Sequence, residues 1–319
     1  MGLLGLAAIA AVGALVVLAL ELWGEPPDPA PQDPNPDSSF RIVALGDSYI
    51  SGEGTRGYFP GTDEPGGARN LCHRGRRAYP YLLAERLQAS LVFVACSGAE
   101  TQEVLAAGQY PRSGDDVYGA RPQVEVLREV EDPDVVLVSI GGNDAGFVEI
   151  GTQCAVPGLP DCRRFEQRWL RRLEAEVYPA LVRTYTAVRE AAPDADVFAI
   201  TYPNPLGPRN CDDLAGLKPP EMDFIRDVFV GRLNEIVVTA AEVAGIRSID
   251  VAGALAGHRF CEVPLRKAAI NFIAFSRTRG TPIDVPHLVA GSLHPNALGH
   301  ELLAKAVLPE LEGLQAGSP

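Results

Sequence analysis

Ser48 stands in Gly46-Asp47-Ser48-Tyr49, directly after the apolar run Phe40 to Leu45. A serine hydroxyl is a poor nucleophile until a base takes its proton, so this position has chemical value only if a histidine folds back onto it. The chain offers five: His73, His258, His287, His294 and His300. His294 fits best, because it precedes a helical run beginning near Ala297 and is followed by Pro295. A proline there keeps residue 294 out of α geometry and suits a helix entrance, which aims the imidazole from a loop into a cleft. His300 falls inside that helix and reads as structural or surface. Attack on an acyl carbonyl also creates an oxyanion, which needs fixed donors. Gly98 lets a backbone N–H approach without a Cβ in the way, Asn143 brings a side-chain amide, and the N–H of Ser48 makes a third.

These residues need elements that bring them together. Runs of strand length and β-branched content recur at Phe40 to Leu45, Leu91 to Ala95, Val135 to Ile140, Val197 to Thr201 and Ile246 to Val251. Helical patterns fall at Ala78 to Gln88, Pro122 to Glu131, Phe165 to Ala192, Glu221 to Ala244 and Ala297 to Glu312. Alternation of this kind, with near-continuous apolar strands, predicts an α/β fold: a three-layer α/β/α sandwich around a parallel sheet of about five strands. Ser48, Ser97-Gly98 and Gly141-Gly142-Asn143-Asp144 follow the first three strands, at the carboxyl edge where α/β sheets place their sites. The Gly/Pro-rich stretches Glu53 to Asn70, Thr152 to Asp161, Pro203 to Pro220 and Ala252 to Pro286 read as loops around that rim.

The 319 residues carry a net charge of -13. That charge argues against nucleic acid or a bare anionic membrane surface as partner, since both repel an acidic chain. Leu3 to Leu20 is an unbroken apolar run, followed by Trp23. Residues 1–23 therefore read as a membrane anchor or, alternatively, a cleaved signal segment. Residues 24–39, with six prolines, read as an extended linker, and 40–314 as the folded domain. Six cysteines without a CxxC pair, downstream of an export signal, point to disulfides rather than zinc. Six cysteines allow fifteen pairings, so spacing alone leaves connectivity open. An extracytoplasmic monomer with no metal and no organic cofactor is expected.

Gly46-Asp47-Ser48-Tyr49 with Gly52-Glu53-Gly54, then Gly98, then Gly142-Asn143-Asp144, then His294-Pro295-Asn296 resemble the four ordered blocks of the SGNH/GDSL hydrolases. Cys72 with Ala78-Tyr79-Pro80, and Ala95-Cys96-Ser97-Gly98-Ala99, are similar to the actinobacterial secreted esterase and lipase branch. The resemblance implies a flavodoxin-like fold, Ser48 as nucleophile, His294 as base, and an oxyanion hole of Ser48, Gly98 and Asn143. It also implies disulfides between successive cysteines: Cys72–Cys96, Cys154–Cys162 and Cys211–Cys261. The substrate it implies is a small-molecule, lipid or acylated-glycan ester.

One position departs from the pattern. Much of the family carries Asp three residues before the histidine, where this chain has Gly291. The branch includes enzymes that orient the imidazole with a main-chain carbonyl, so the carbonyl of Gly291 or Ser292 is expected to serve. Asp250 and Asp284 are the carboxylates that would serve otherwise. Asp47 reads as a structural acceptor, Asp144 as a loop anchor, His73 and His258 as loop residues, and Arg163 to Arg172 as a solvated helix face. A glycan O-deacetylase, an acyltransferase and a non-catalytic cell-envelope binding module remain as other uses of the fold. A flavodoxin-like nucleotide carrier is disfavoured, because the chain has no GxGxxG or Walker pattern.

Overall fold

Five short runs of mainly Val, Ile, Leu, Phe and Ala form the sheet. They are β1 (Arg41–Gly46), β2 (Ser90–Phe93), β3 (Val135–Ser139), β4 (Asp196–Ile200) and β5 (Arg247–Ile249). All pair in parallel, in the order β2-β1-β3-β4-β5. Every residue of β3 is buried, because helices cover both faces; that is why the strand reads as an unbroken apolar run rather than an alternation. The structure, a computed structural model, describes residues 32–63, 70–110, 119, 121–155, 161–211, 214, 217–271, 275–277, 286–288 and 291–315. These belong to the unit Pro31–Pro319.

The covering helices are α1 (Ser48–Ser51), α2 (Tyr79–Leu87), α3 (Thr101–Leu105), α4 (Gln123–Arg128), α5 (Gly142–Ala145), α6 (Phe147–Ala155), α7 (Glu166–Arg172), α8 (Tyr178–Ala191), α9 (Pro219–Asp223), α10 (Gly231–Val243) and α11 (Ala297–Gln315). The helix expected over Phe165 to Ala192 widens into a π-helical turn at Leu173–Val177, between α7 and α8. The one expected over Glu221 to Ala244 does the same at Phe224–Val230, between α9 and α10. Apolar periodicity cannot separate a π turn from an α turn, and such turns concentrate near functional sites. The fold is the three-layer α/β/α sandwich that the strand and helix pattern predicts, with the flavodoxin-like strand order that the family resemblance implies.

The three disulfides form as Cys72–Cys96, Cys154–Cys162 and Cys211–Cys261, and no cysteine is free. Residues expected to end a free linker are docked on the domain instead. Asp33 accepts from the Leu91 N–H of the edge strand β2 (3.0 Å), and the Asn35 amide donates to the carbonyls of Ala84 and Ala89. An edge strand offers unpaired backbone groups, and here two polar side chains meet them and the neighbouring helix end. The apolar segment Leu3 to Leu20 lies outside the described residues, as does Asp284. Among the described residues no helix is long and apolar enough to cross a membrane.

Candidate active site

The turn after β1 is built so that the chain can reverse within two residues. Gly46 has φ +128°, and a Cβ there would collide with the Ser139 carbonyl at the end of β3, so only glycine fits. Gln123, buried on α4, grips it from both sides. Its Oε1 accepts from the Gly46 N–H (2.7 Å) and its Nε2 donates to the Gly46 carbonyl (2.9 Å). The Asp47 N–H donates to Ser139 O (2.9 Å), and its carboxylate Oδ1 caps α1 by accepting from the Tyr49 N–H (2.9 Å). Ser48 is left as the first residue of α1, with its side chain facing a cleft.

The segment before α11 brings His294 across 246 residues to that hydroxyl. Its Nε2 lies 2.8 Å from Ser48 Oγ, and its Nδ1 lies 2.9 Å from the Ser292 carbonyl. A carbonyl only accepts, so the Nδ1 hydrogen points to Ser292 and Nε2 is left as the acceptor for the hydroxyl. Of the two carbonyls expected to orient the ring, the geometry brings Ser292, not Gly291, to it. The Gly291 carbonyl closes the turn by accepting from the His294 N–H (3.3 Å) and also takes a bond from Asn271 Nδ2 (3.1 Å), so it is turned away from the imidazole. Asp250 is committed elsewhere, accepting from Thr201 Oγ1 (3.0 Å) and the Ala252 N–H (2.9 Å). Burial lowers the His294 pKa below its ordinary value, against the pull of Glu53 and the Ser292 carbonyl, so the ring is neutral at pH 7.

Gly98 and Asn143 reach the same rim. The Cys96 N–H donates to Gly46 O (3.0 Å), which fastens the β2 exit beside the β1 exit, and Asn143 Nδ2 donates to Ala99 O (2.9 Å), which ties in the β3 exit. One amide hydrogen of Asn143 remains for the cleft that this residue lines. Neither the Ser48 nor the Gly98 N–H meets an acceptor among the described residues. Asp144 anchors this edge as expected, accepting from the N–H and hydroxyl (2.6 Å) of Thr101. His258 is not part of the cleft, and His300 is structural: fully buried, its Nδ1 accepts from the Tyr79 N–H (3.2 Å) where α2 has no side-chain cap of its own. Burial pushes the His300 pKa down to about 3.

The cleft of about 90 Å³ is apolar apart from Ser48, Tyr49, Asn143, Ser292 and His294. Phe147, Val148 and Ile150 of α6 form one wall, Ile225, Phe229 and Val230 of the π turn another, and Pro203, Pro205 and Leu293 complete it. Beneath it Tyr49 packs on Phe147, Tyr202 and His294, at ring separations of 5.4, 5.1 and 4.9 Å.

Two groupings here went unremarked in the sequence. Tyr202, at the end of β4, donates from its hydroxyl to Asp47 Oδ2 (2.5 Å) while accepting from the Gly142 N–H (2.8 Å). Burial pushes the Asp47 pKa up to about 7, with the Tyr202 bond pulling the other way. Glu53, buried, accepts from His73 Nδ1 and from Ser97 Oγ (2.8 Å). A glutamate between two glycines, five residues past the serine, was the one available sign of it.

A three-layer sheet fold with a serine, a histidine and an apolar cleft at one edge defines a hydrolase of acyl compounds. The sequence profile of the GDSL-like Lipase/Acylhydrolase family matches residues 44–302, and the chain belongs to that family. It is 33% identical to Lipase 2 of Streptomyces coelicolor over 96% of this chain and 95% of the relative. It is 28% identical to Lipase 1 of the same organism, over 88% and 89%. Among solved structures, phospholipase A1 from Streptomyces albidoflavus superposes with a TM-score of 0.64 at 29% identity, covering 86% of this chain and 99% of that one. The extracellular lipase of Streptomyces rimosus gives 0.63 at 28%, covering 86% and 100%. The chain is an ester hydrolase of the lipase and esterase type.

Proposed function

We propose that Ser48 attacks the ester carbonyl while His294 takes its proton. The Ser292 carbonyl holds the resulting imidazolium through Nδ1, and the N–H groups of Ser48 and Gly98 with the Asn143 amide hold the oxyanion. His294 then returns the proton to the leaving alcohol, and a water attacks the acyl-enzyme by the same route. The observation that carries this reading is the unbroken line Ser48 Oγ, His294 Nε2, His294 Nδ1, Ser292 O, at 2.8 and 2.9 Å. No step in it calls for a metal or cofactor.

The apolar cleft walls favour an acyl chain of hydrocarbon character over an acetylated glycan. The names of the relatives, lipases and a phospholipase A1, support the same substrate class. The disulfides suit action outside the cytoplasm, with residues 1–23 as anchor or signal and the enzyme as a monomer. An ester panel from acetyl to long acyl, with acetylated sugars and alcohol acceptors beside it, tests the assignment. Medium or long acyl esters are expected to turn over fastest, and Ser48→Ala to abolish turnover without changing the circular dichroism spectrum. Exclusive activity on acetylated sugars would refute the acyl-chain reading, and acyl transfer outrunning hydrolysis would make the chain an acyltransferase. No turnover and no serine labelling would make it a binding module.

A further inference from the structure

Behind the histidine loop lies a buried cluster that the proposed mechanism does not use. Glu53 is 3% exposed and sits just past α1, its N–H donating to the Ser48 carbonyl (3.2 Å). Its Oε2 accepts from His73 Nδ1 and Ser97 Oγ, and its Oε1 takes a longer bond from the Tyr58 hydroxyl (3.3 Å). The segment carrying it is clamped to the segment carrying His294. Asn271 Nδ2 donates to both Gly54 O (3.0 Å) and Gly291 O (3.1 Å), the Asn271 N–H donates to His294 O (2.9 Å), and the Leu293 N–H donates to Asn271 O (3.1 Å). The approach is close: a Cβ on Gly54 would stand 3.2 Å from His294 Cβ, and one on Gly291 would stand 3.4 Å from Glu53 Oε1. Gly291 occupies the place where much of the family carries an aspartate, so a carboxylate arrives beside that place from another part of the chain.

We propose that Glu53 is a positioning residue for the reaction: its clamped, buried carboxylate supplies the negative charge that stabilises the imidazolium formed at His294 when the Ser48 proton arrives. The inference rests on the Ser48–His294 reading and adds its missing counter-charge. In a water-poor environment a charge need not touch its partner to act, because Coulomb attraction falls slowly where the effective dielectric is low. Glu53 is held ionised: burial opposes the charge, and the bonds from His73 and Ser97 together with the nearby imidazoles outweigh it, leaving the carboxyl below its ordinary range. Three groups face Glu53: His73, Tyr58 and Ser97. His73 is faced by Glu53, by Asp63 (3.3 Å) and by the stacked Tyr58 ring, while His294 is faced by Tyr49, Ser48 and the Ser292 carbonyl. Among the described residues, Glu53, His73, His300 and Tyr49 are the titratable groups near His294. His300 stays neutral and both tyrosines stay protonated through the working range. Glu53 therefore raises the affinity of His294 for its proton, and His73, when protonated, lowers it.

The test is the pH dependence of kcat/KM and kcat with a soluble short-chain ester, per active site titrated with a fluorophosphonate, for the full chain and its Glu53→Gln, Glu53→Asp and His73→Gln variants. Glu53→Gln is expected to lower kcat about tenfold, the equivalent of one pKa unit on the base, with KM little changed and the acidic limb moved to lower pH. Glu53→Asp is expected to restore most of the limb position. His73→Gln removes the opposing cation while leaving an amide donor for Glu53, and where that donor keeps Glu53 ionised the limb moves the other way. A loss of kcat with the limb of Glu53→Gln unmoved, or that limb moving to higher pH, would overturn the proposal. If Glu53→Gln does not fold, the double variant Glu53→Gln/His73→Gln, in which two amides can still bond and both charges are gone, takes its place: a limb below wild type supports the proposal, because Glu53 outweighs His73 at His294, and an unmoved or raised limb refutes it. Failure of the wild type to label at Ser48 would instead sink the serine-histidine reading itself.

Discussion

Asp47→Asn should flatten the pH dependence of stability, because in the wild type the buried carboxyl beside the nucleophile is protonated well above its usual range. Burial pushes its pKa from 3.8 to about 7. The native state thus holds this proton more tightly than the unfolded chain does. Its contribution to stability is full below 3.8 and is lost as pH rises through about 7. Relative to the fully protonated limit, the loss grows from about 2 kcal/mol near pH 5 to about 4 kcal/mol near pH 8. Asparagine keeps an acceptor for the Tyr49 N–H and carries no charge, so the variant lacks this loss. Urea unfolding of both proteins near pH 5 and near pH 8 isolates the effect, since other titrating groups cancel in the double difference. An equal pH dependence for the two proteins would refute the reasoning and mean that Asp47 is ionised in the folded state.

The wild-type kcat/KM is expected to fall as pH drops through a value below the ordinary histidine figure of 6.5, because burial lowers the His294 pKa and the base form is required; a limb above 6.5 in a pH–rate profile contradicts this. Asp250→Asn and Asp284→Asn are expected to leave kcat within about threefold of wild type, since a carbonyl orients the ring; a loss in steady-state assays comparable with that of His294→Ala would restore a carboxylate to the triad. Replacing Cys72 and Cys96 together by alanine removes a cross-link over 24 residues and is expected to lower stability by about 3 kcal/mol in denaturant titration. A change under about 1 kcal/mol would mean that the bridge does not constrain the unfolded chain.

The strands were legible because a parallel sheet covered on both faces turns burial into unbroken runs such as Val135-Val136-Leu137-Val138. Ser48, Gly98 and Asn143 were legible because each follows such a run and the fold gathers strand ends at one edge, and His294 because a proline follows it at a helix entrance. Ser292 could not be told from Gly291, since which carbonyl meets the ring depends on a turn whose Leu293 has φ +60°. The pairing of Glu53 with His73 depends on the path of a loop, and Gln123 with Gly46 on the packing of α4 against β1; neither leaves a periodic trace. The docking of Asp33 and Asn35 was hidden by the prolines around them, which read as linker.

The central claim is that residues 48 and 294 act as one nucleophile. Mass spectrometry of peptides after brief fluorophosphonate treatment tests it most directly, comparing wild type with His294→Ala. The expected result is a single adduct on Ser48 that forms at least about a hundredfold more slowly without the imidazole. An adduct on another serine, or labelling of Ser48 at an unchanged rate in His294→Ala, would contradict it.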